Sequence, residues 1–210
     1  MKHRVLATAL LVTVPAAARG QTVEITPLIG YRIGGGFSAT VGSDPAAGIV
    51  DHEVKDSGSF GVHLGFRVAR DGEVELLYAR QNTRLATDGL FTGEPLFDLA
   101  LETWQAGGNY LFAEEGARLR PYIGAGLGIT RLLPEPVDLQ DETRFSASFA
   151  GGVKVWLGRH VGLRFEARGF FTVLESEGNA FCGTGGECLV HAKGSDISQG
   201  EARAGLVLRF

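Results

Sequence analysis

The sequence has little of several things that most functional classes require. No apolar run after residue 20 is long enough to cross a bilayer as a helix, which takes about 20 residues, so a membrane-embedded chain of this sequence would have to cross as strands. Helical spacing of apolar residues never persists through a full window, which excludes bundles and α/β folds. With 2 cysteines the chain can build neither a disulfide-dense scaffold nor a multi-cysteine metal cluster. Basic residues number 20 against 24 acidic ones, and Lys2, Arg4 and Arg19 fall in the first twenty positions. The remainder is distinctly acidic, which argues against nucleic acid as a partner.

Those first twenty positions differ in character from the rest of the chain. A basic start, Met1-Lys2-His3-Arg4, leads into an apolar stretch from Val5 to Val14 and then into small residues around Ala16-Ala17-Ala18. The stretch is about half the length of a membrane span, so residues 1–20 read as a secretory signal peptide, cut after Ala18 or Gly20, and residues 21–210 as a single domain. No cysteine near the cut points to a lipid anchor.

What the chain has in abundance is glycine, 31 residues, many of them inside stretches that alternate apolar and polar with period two. The alternation predicts strands near 23–34, 57–70, 73–83, 98–113, 119–131, 143–157, 160–173 and 199–210. Three connections are short and contain glycine, namely those at Asp71-Gly72, Glu114 to Arg118, and Gly158-Arg159. The other four, about 35–56, 84–97, 132–142 and 174–198, are long and read as loops. Long and short connections alternate strictly, which places all short turns at one end of an eight-stranded antiparallel barrel and all long loops at the other. Short periplasmic and long extracellular connections are the pattern of a transmembrane barrel.

Sorting by parity separates two faces. One carries Ile25, Ile29, Tyr31, Phe60, Val62, Val74, Leu76, Trp104, Tyr110, Phe112, Ile123, Leu127, Phe149, Phe165, Phe171 and Leu206 without a charge, while Glu102 lies beyond Trp104 towards the long loops. The other carries Glu24, Arg32, His63, Arg67, Glu73, Glu75, Gln105, Asn109, Arg120, Tyr122, Lys154, Arg164, Glu166, Arg168, Glu201, Arg203 and Arg209. Alternation alone does not say which face is outside, since a soluble ligand-carrying barrel turns the same pattern round. Aromatic residues near strand ends, the leader and the loop asymmetry favour lipid outside. So does the final strand, Glu201 to Phe210, which stops on an aromatic residue.

On two segments, Leu206-Val207-Leu208-Arg209-Phe210 and Arg120-Pro121-Tyr122-Ile123-Gly124-Ala125-Gly126-Leu127-Gly128, the chain resembles small bacterial outer-membrane β-barrels of the OmpA/OmpX type. The resemblance implies an all-β, eight-stranded, up-and-down transmembrane barrel in the cell outer membrane, surrounded by outer-membrane lipid. It also implies a last strand, ending at Phe210, that the barrel-insertion machinery reads. The chain lacks the peptidoglycan-binding domain of larger OmpA proteins, so cell-wall tethering is not implied, and a monomer is the expected state.

An eight-stranded barrel has an interior just wide enough for side chains to fill, so the polar face should pack as a luminal plug of paired charges. A narrow ion path through it is the alternative. Cys182 and Cys188 bracket five residues of the last long loop and, in an oxidising compartment, read as a disulfide. A zinc site recruiting His191 would have three ligands without a recognised spacing. No catalytic residues, metal or cofactor are indicated. A lipid A-modifying enzyme would need a histidine and serine close on one face, whereas His63 and Ser59 stand about 13 Å apart along their strand. Gly34-Gly35-Gly36 and the glycines of 124–128 lead into no helix and so form no phosphate loop; strand-edge freedom and barrel curvature explain them.

Overall fold

A computed structural model describes residues 22–41, 50–87, 95–114, 116–135, 141–173, 178–182, 188–192 and 196–210, with the backbone alone at 36–41, 50–53, 85–87, 95–97, 178–182 and 188–192. The expected leader, residues 1–20, lies outside these.

Eight long strands make the wall: β1 (Val23–Gly34), β4 (Ser57–Arg67), β5 (Gly72–Thr87), β6 (Pro95–Leu111), β7 (Leu119–Pro134), β8 (Glu142–Trp156), β9 (Val161–Val173) and β12 (Asp196–Arg209). Each pairs antiparallel with its neighbours in the ring β1-β4-β5-β6-β7-β8-β9-β12. The ring closes where β12 pairs with β1, from Glu24 opposite Arg209 to Gly34 opposite Gln199. Backbone bonds between Val23 and Phe210 complete the seam. Closure satisfies every edge, which is what allows strands to stand in hydrocarbon.

Four further strands depart from the sequence-based reading of 35–56 and 174–198 as loops. They are β2 (Gly36–Val41), β3 (Val50–Val54), β10 (Gly178–Cys182) and β11 (Cys188–Ala192). Above the point where β4 leaves β5 at Ser59 opposite Gln81, β3 takes its place along β5, with His52, Glu53 and Val54 opposite Thr87, Ala86 and Leu85. β2, β11 and β10 then extend that sheet away from the barrel. The chain can turn from β1 into β2 because Gly34 and Gly35 take positive φ, 79° and 119°, which residues with a Cβ avoid. These segments lack strong alternation, and the pairings that attach them to one another and to the wall, β3 with β5 and β2 with β11, join stretches remote in sequence, so local pattern did not reveal them. Other strand ends shifted by a few residues: β4 stops at Arg67 instead of 70, and β5 and β6 run on to Thr87 and start from Pro95.

The two faces sort as the parity reading has it. Ile29, Phe60, Trp104, Leu127, Phe149, Phe165 and Phe171 project outward, Ile29 with 72% of its surface exposed. Two aromatic levels bound this apolar belt. Tyr78 and Trp104, with ring centroids 4.5 Å apart, lie towards the long loops, and Tyr110 and Phe112, 5.2 Å apart, towards the short turns. The eight residues from Trp104 to Phe112 span about 26 Å of strand, or about 20 Å of height at the usual tilt, close to the apolar band of a membrane barrel. Just above Trp104 the outer face becomes charged: Arg80 binds Glu102 at 2.8 Å, and Arg131 reaches Asp141 at 3.2 Å.

Closure has a simple consequence on a denaturing gel. Unboiled protein is expected to migrate apart from boiled protein, because the closed barrel stays folded in detergent until heated; a single position for both samples would contradict a closed barrel.

Candidate functional site: the luminal charge network

Inward-pointing positions repeat every second residue on each strand, so charges placed on that parity all converge on one lumen. Among the described residues, six cationic side chains (Arg32, Arg120, Lys154, Arg164, Arg168 and Arg203) and five anionic ones (Glu24, Glu73, Glu75, Glu166 and Glu201) are buried there, with His63. Near-balance of sign is what a lumen without bulk water requires.

The hub is Glu166 on β9. Its carboxylate accepts from Arg168 Nε at 2.8 Å, Arg203 Nε at 2.7 Å, Arg164 Nε at 3.1 Å and the Tyr122 hydroxyl at 2.6 Å. Three guanidiniums thus share one carboxylate, an arrangement that works because Arg164 and Arg168 also lean on Glu75, at 3.4 Å and 2.6 Å. Tyr122 reaches along the inner wall over Gly152, its register partner on β8, to Glu166 on β9, and a Cβ at Gly152 would meet the Phe165 carbonyl oxygen and stand 2.5 Å from the phenol oxygen. His63 is enclosed between Glu75 Oε2, at 2.7 Å, and Arg164 Nη1, at 3.1 Å.

Below the hub, towards the short turns, Lys154 Nζ bridges Glu24 and Glu73, at 2.6 Å to each. Glu24 also takes Arg209 at 3.0 Å and Arg67 at 3.5 Å. Arg120 caps this end by donating to the backbone carbonyls of Arg70, at 3.0 Å, and Ala113, at 3.2 Å. Arg209 sits at the mouth, its guanidinium 3.4 Å above the Trp156 ring.

Above the hub, Arg32 forms a two-pronged pair with Glu201 Oε2, at 2.8 and 2.7 Å, and lies 4.1 Å over the Phe170 ring. Ser59 fills the other Glu201 oxygen at 2.7 Å. Neutral groups follow: Ser148 and Ser146 bind Gln105, Thr103 meets Thr130, and Gln199 joins Gln81 to the Gly34 carbonyl. Charge therefore grades into amides and hydroxyls that are hydrogen-bonded to one another.

Of the charged residues, His63 and Tyr122 that parity put on the inner face, all are buried except Arg67 and Arg209, which are half-buried towards the short turns. Parity also put Gln105 and Asn109 on that face, and Asn109 connects Glu73 and Glu75, at 3.1 and 2.8 Å. Sequence reasoning missed Ser146 and Ser148, which alternate with apolar neighbours just as the charged residues do but carry only the weak polarity of a hydroxyl, and it weighed Ser59 only as a partner for His63. Ser59 and His63 take different partners, Glu201 and Glu75, so they form no nucleophile and base pair. The described residues contain no group of three or more His, Cys, Asp or Glu arranged to hold a metal ion. The expected disulfide falls on side chains outside those described, although the backbone pairs Cys182 directly opposite Cys188.

The sequence model of one protein family, Outer membrane protein beta-barrel domain, matches residues 5–210. Among solved structures the chain is similar to the outer membrane protein OprG from Pseudomonas aeruginosa, at 13% identity and TM-score 0.67, covering 90% of this chain and 95% of that one. It is similar to Neisserial surface protein A at 18% identity and TM-score 0.55, covering 91% and 97%. The N-terminal β-barrel domain of Pseudomonas aeruginosa OprF follows at 15% identity and TM-score 0.53, covering 90% and 97%. At such identities these likenesses concern the fold. No curated protein matches the chain.

Proposed function

Because the chain belongs to the outer membrane protein β-barrel domain family and its place is the cell outer membrane, we propose that it is a non-enzymatic barrel that strengthens the envelope or presents its long connections to the cell exterior, with a lumen closed to ions. The observation that carries this reading is the Glu166 hub with its three guanidiniums, which together with the Lys154 bridge puts paired charge across the lumen at successive heights. An ion moving through would have to break several of these pairs at once, each in a setting of low dielectric where an uncompensated charge costs several kcal/mol.

The surface role is supported by the extension formed by β2, β3, β10 and β11, which adds four strands to the sheet at the long-loop end of β5. A bond between Cys182 and Cys188 would fasten the far hairpin of that extension, consistent with an oxidising compartment reached through the proposed leader of residues 1–20. Proposed partners are the surrounding lipid and, through the strand ending at Phe210, the insertion machinery; the barrel acts as a monomer.

In planar bilayers the purified barrel is expected to give no stepwise currents. Robust steps in 1 M salt would overturn the closed lumen and make a small channel the better reading. An altered lipid A profile on expression would overturn the non-enzymatic assignment.

A further inference from the structure

The short-turn end holds a second cationic feature, separate from the luminal hub. Three elements are brought together there by backbone bonds: Trp156 N donates to Arg118 O at 2.7 Å, Leu157 N to Val161 O at 3.0 Å, and Arg209 N to His160 O at 2.8 Å. They enclose a cavity of about 420 Å3 lined by Arg118, Arg159, Arg209, Trp156 and Leu157, together with glycines of the two turns. At about 30 Å3 per water this is room for on the order of a dozen water molecules, enough for a phosphate ester with its polar head.

Among the described residues, the charged groups of the lining are all cationic. Arg209 is already engaged by Glu24 and stacked on Trp156. Arg118 and Arg159 are exposed, and among the described residues neither has a carboxylate within ion-pair distance. Arginine matches phosphate through its planar fork, better than a point charge would. An apolar strip leads away from the cavity up the outer wall. Leu119 pairs across the sheet with Val155, and Val155 with Leu163, all three on the outward parity. Leu119 and Leu157 are 56% and 65% exposed beside the arginines. Cationic forks at the interface below a strip of hydrocarbon-facing side chains form the complement of one amphiphile.

The geometry points to a binding site for the headgroup of an anionic phospholipid of the periplasmic leaflet, with its phosphate between Arg118 and Arg159 and an acyl chain along Leu119, Val155 and Leu163. The site rests on the reading that the short turns face the periplasm. It would anchor one lipid at the foot of β7, β8 and β9 and so fix the height of the barrel at this rim.

The test uses full-length protein folded in detergent micelles and examined by native mass spectrometry with phosphatidylglycerol, phosphatidylethanolamine or inorganic phosphate. One phosphatidylglycerol is expected to stay bound per barrel, in at least about fivefold excess over phosphatidylethanolamine, which shares the phosphate but carries no net charge. In R118Q/R159Q that adduct should fall about tenfold, while the gel shift on boiling stays intact because both side chains lie outside the luminal network. Equal retention of the two lipids, or retention indifferent to the double substitution, would overturn the site. Displacement of the lipid by millimolar inorganic phosphate would show a free-anion site and overturn the lipid assignment. Loss of the gel shift in wild type would instead strike at the barrel reading itself, so the two failures are distinguishable.

Discussion

Glu166→Gln is expected to cost the folded barrel about 3–5 kcal/mol, the usual loss when one partner of a buried ionic network is removed and the others stay behind. Glutamine keeps the volume, so the loss isolates charge. Arg168 and Arg164 would still reach Glu75, at 2.6 and 3.4 Å, but Arg203 would lose its direct carboxylate partner and keep an amide oxygen in its place, the more distant charge of Glu201, and the Phe170 ring 5.9 Å from its guanidinium carbon. The variant should unfold at markedly lower urea in micelles, followed by tryptophan fluorescence and by the gel shift. The sharper measurement is the cycle with Arg203→Met. If Arg203 is the group stranded by Glu166→Gln, the double variant recovers a large part of the loss, because the uncompensated cation has gone. Additive losses would show that Glu166 and Arg203 are not coupled and that the hub has been misread. Arg80→Gln is the contrast: its pair with Glu102 is partly exposed at the outer rim, and such pairs contribute about 0–1 kcal/mol.

The second large effect concerns which face meets lipid. Ile123 lies outward on β7, about midway between Leu119 near the short turn and Ile129 opposite Trp104. Ile123→Arg is expected to lower stability in lipid vesicles by about 2–4 kcal/mol, the cost of arginine at the bilayer midplane. Val68→Arg, in the short turn after β4, should cost about 0–1 kcal/mol. The depth dependence is the signature. A soluble barrel would show no difference between the two positions, since both would face water, and equal small effects would remove the membrane assignment.

The luminal charge network and the outward apolar belt are linked through the strand period. A one-residue slip of any wall strand would turn its apolar residues inward and its charges into hydrocarbon, so the two faces enforce each other's register. The extension of β2, β3, β10 and β11 was invisible from local pattern for another reason: what attaches it to the wall is pairing with segments such as Leu85–Thr87 that are remote in sequence. Glycine shows the same division. Its abundance suggested curvature, but at Gly152 the cause is specific neighbours, the Phe165 carbonyl oxygen and the Tyr122 phenol that reaches over to Glu166.

The sequence by itself determined the barrel of eight antiparallel strands, the sorting of residues into two faces, and the assignment of short turns to one end and long connections to the other. These follow from a side-chain period of two, which is a property of any extended strand and needs no knowledge of partners. Only the tertiary structure decided who pairs with whom. Glu24 meets Lys154, Arg32 meets Glu201, and three arginines from β9 and β12 meet one glutamate, while Arg118, Arg159 and Arg209 gather at a single rim. Those meetings depend on the stagger with which the sheet closes on itself. That stagger sets which heights on distant strands coincide across the lumen, and no local stretch of sequence encodes it.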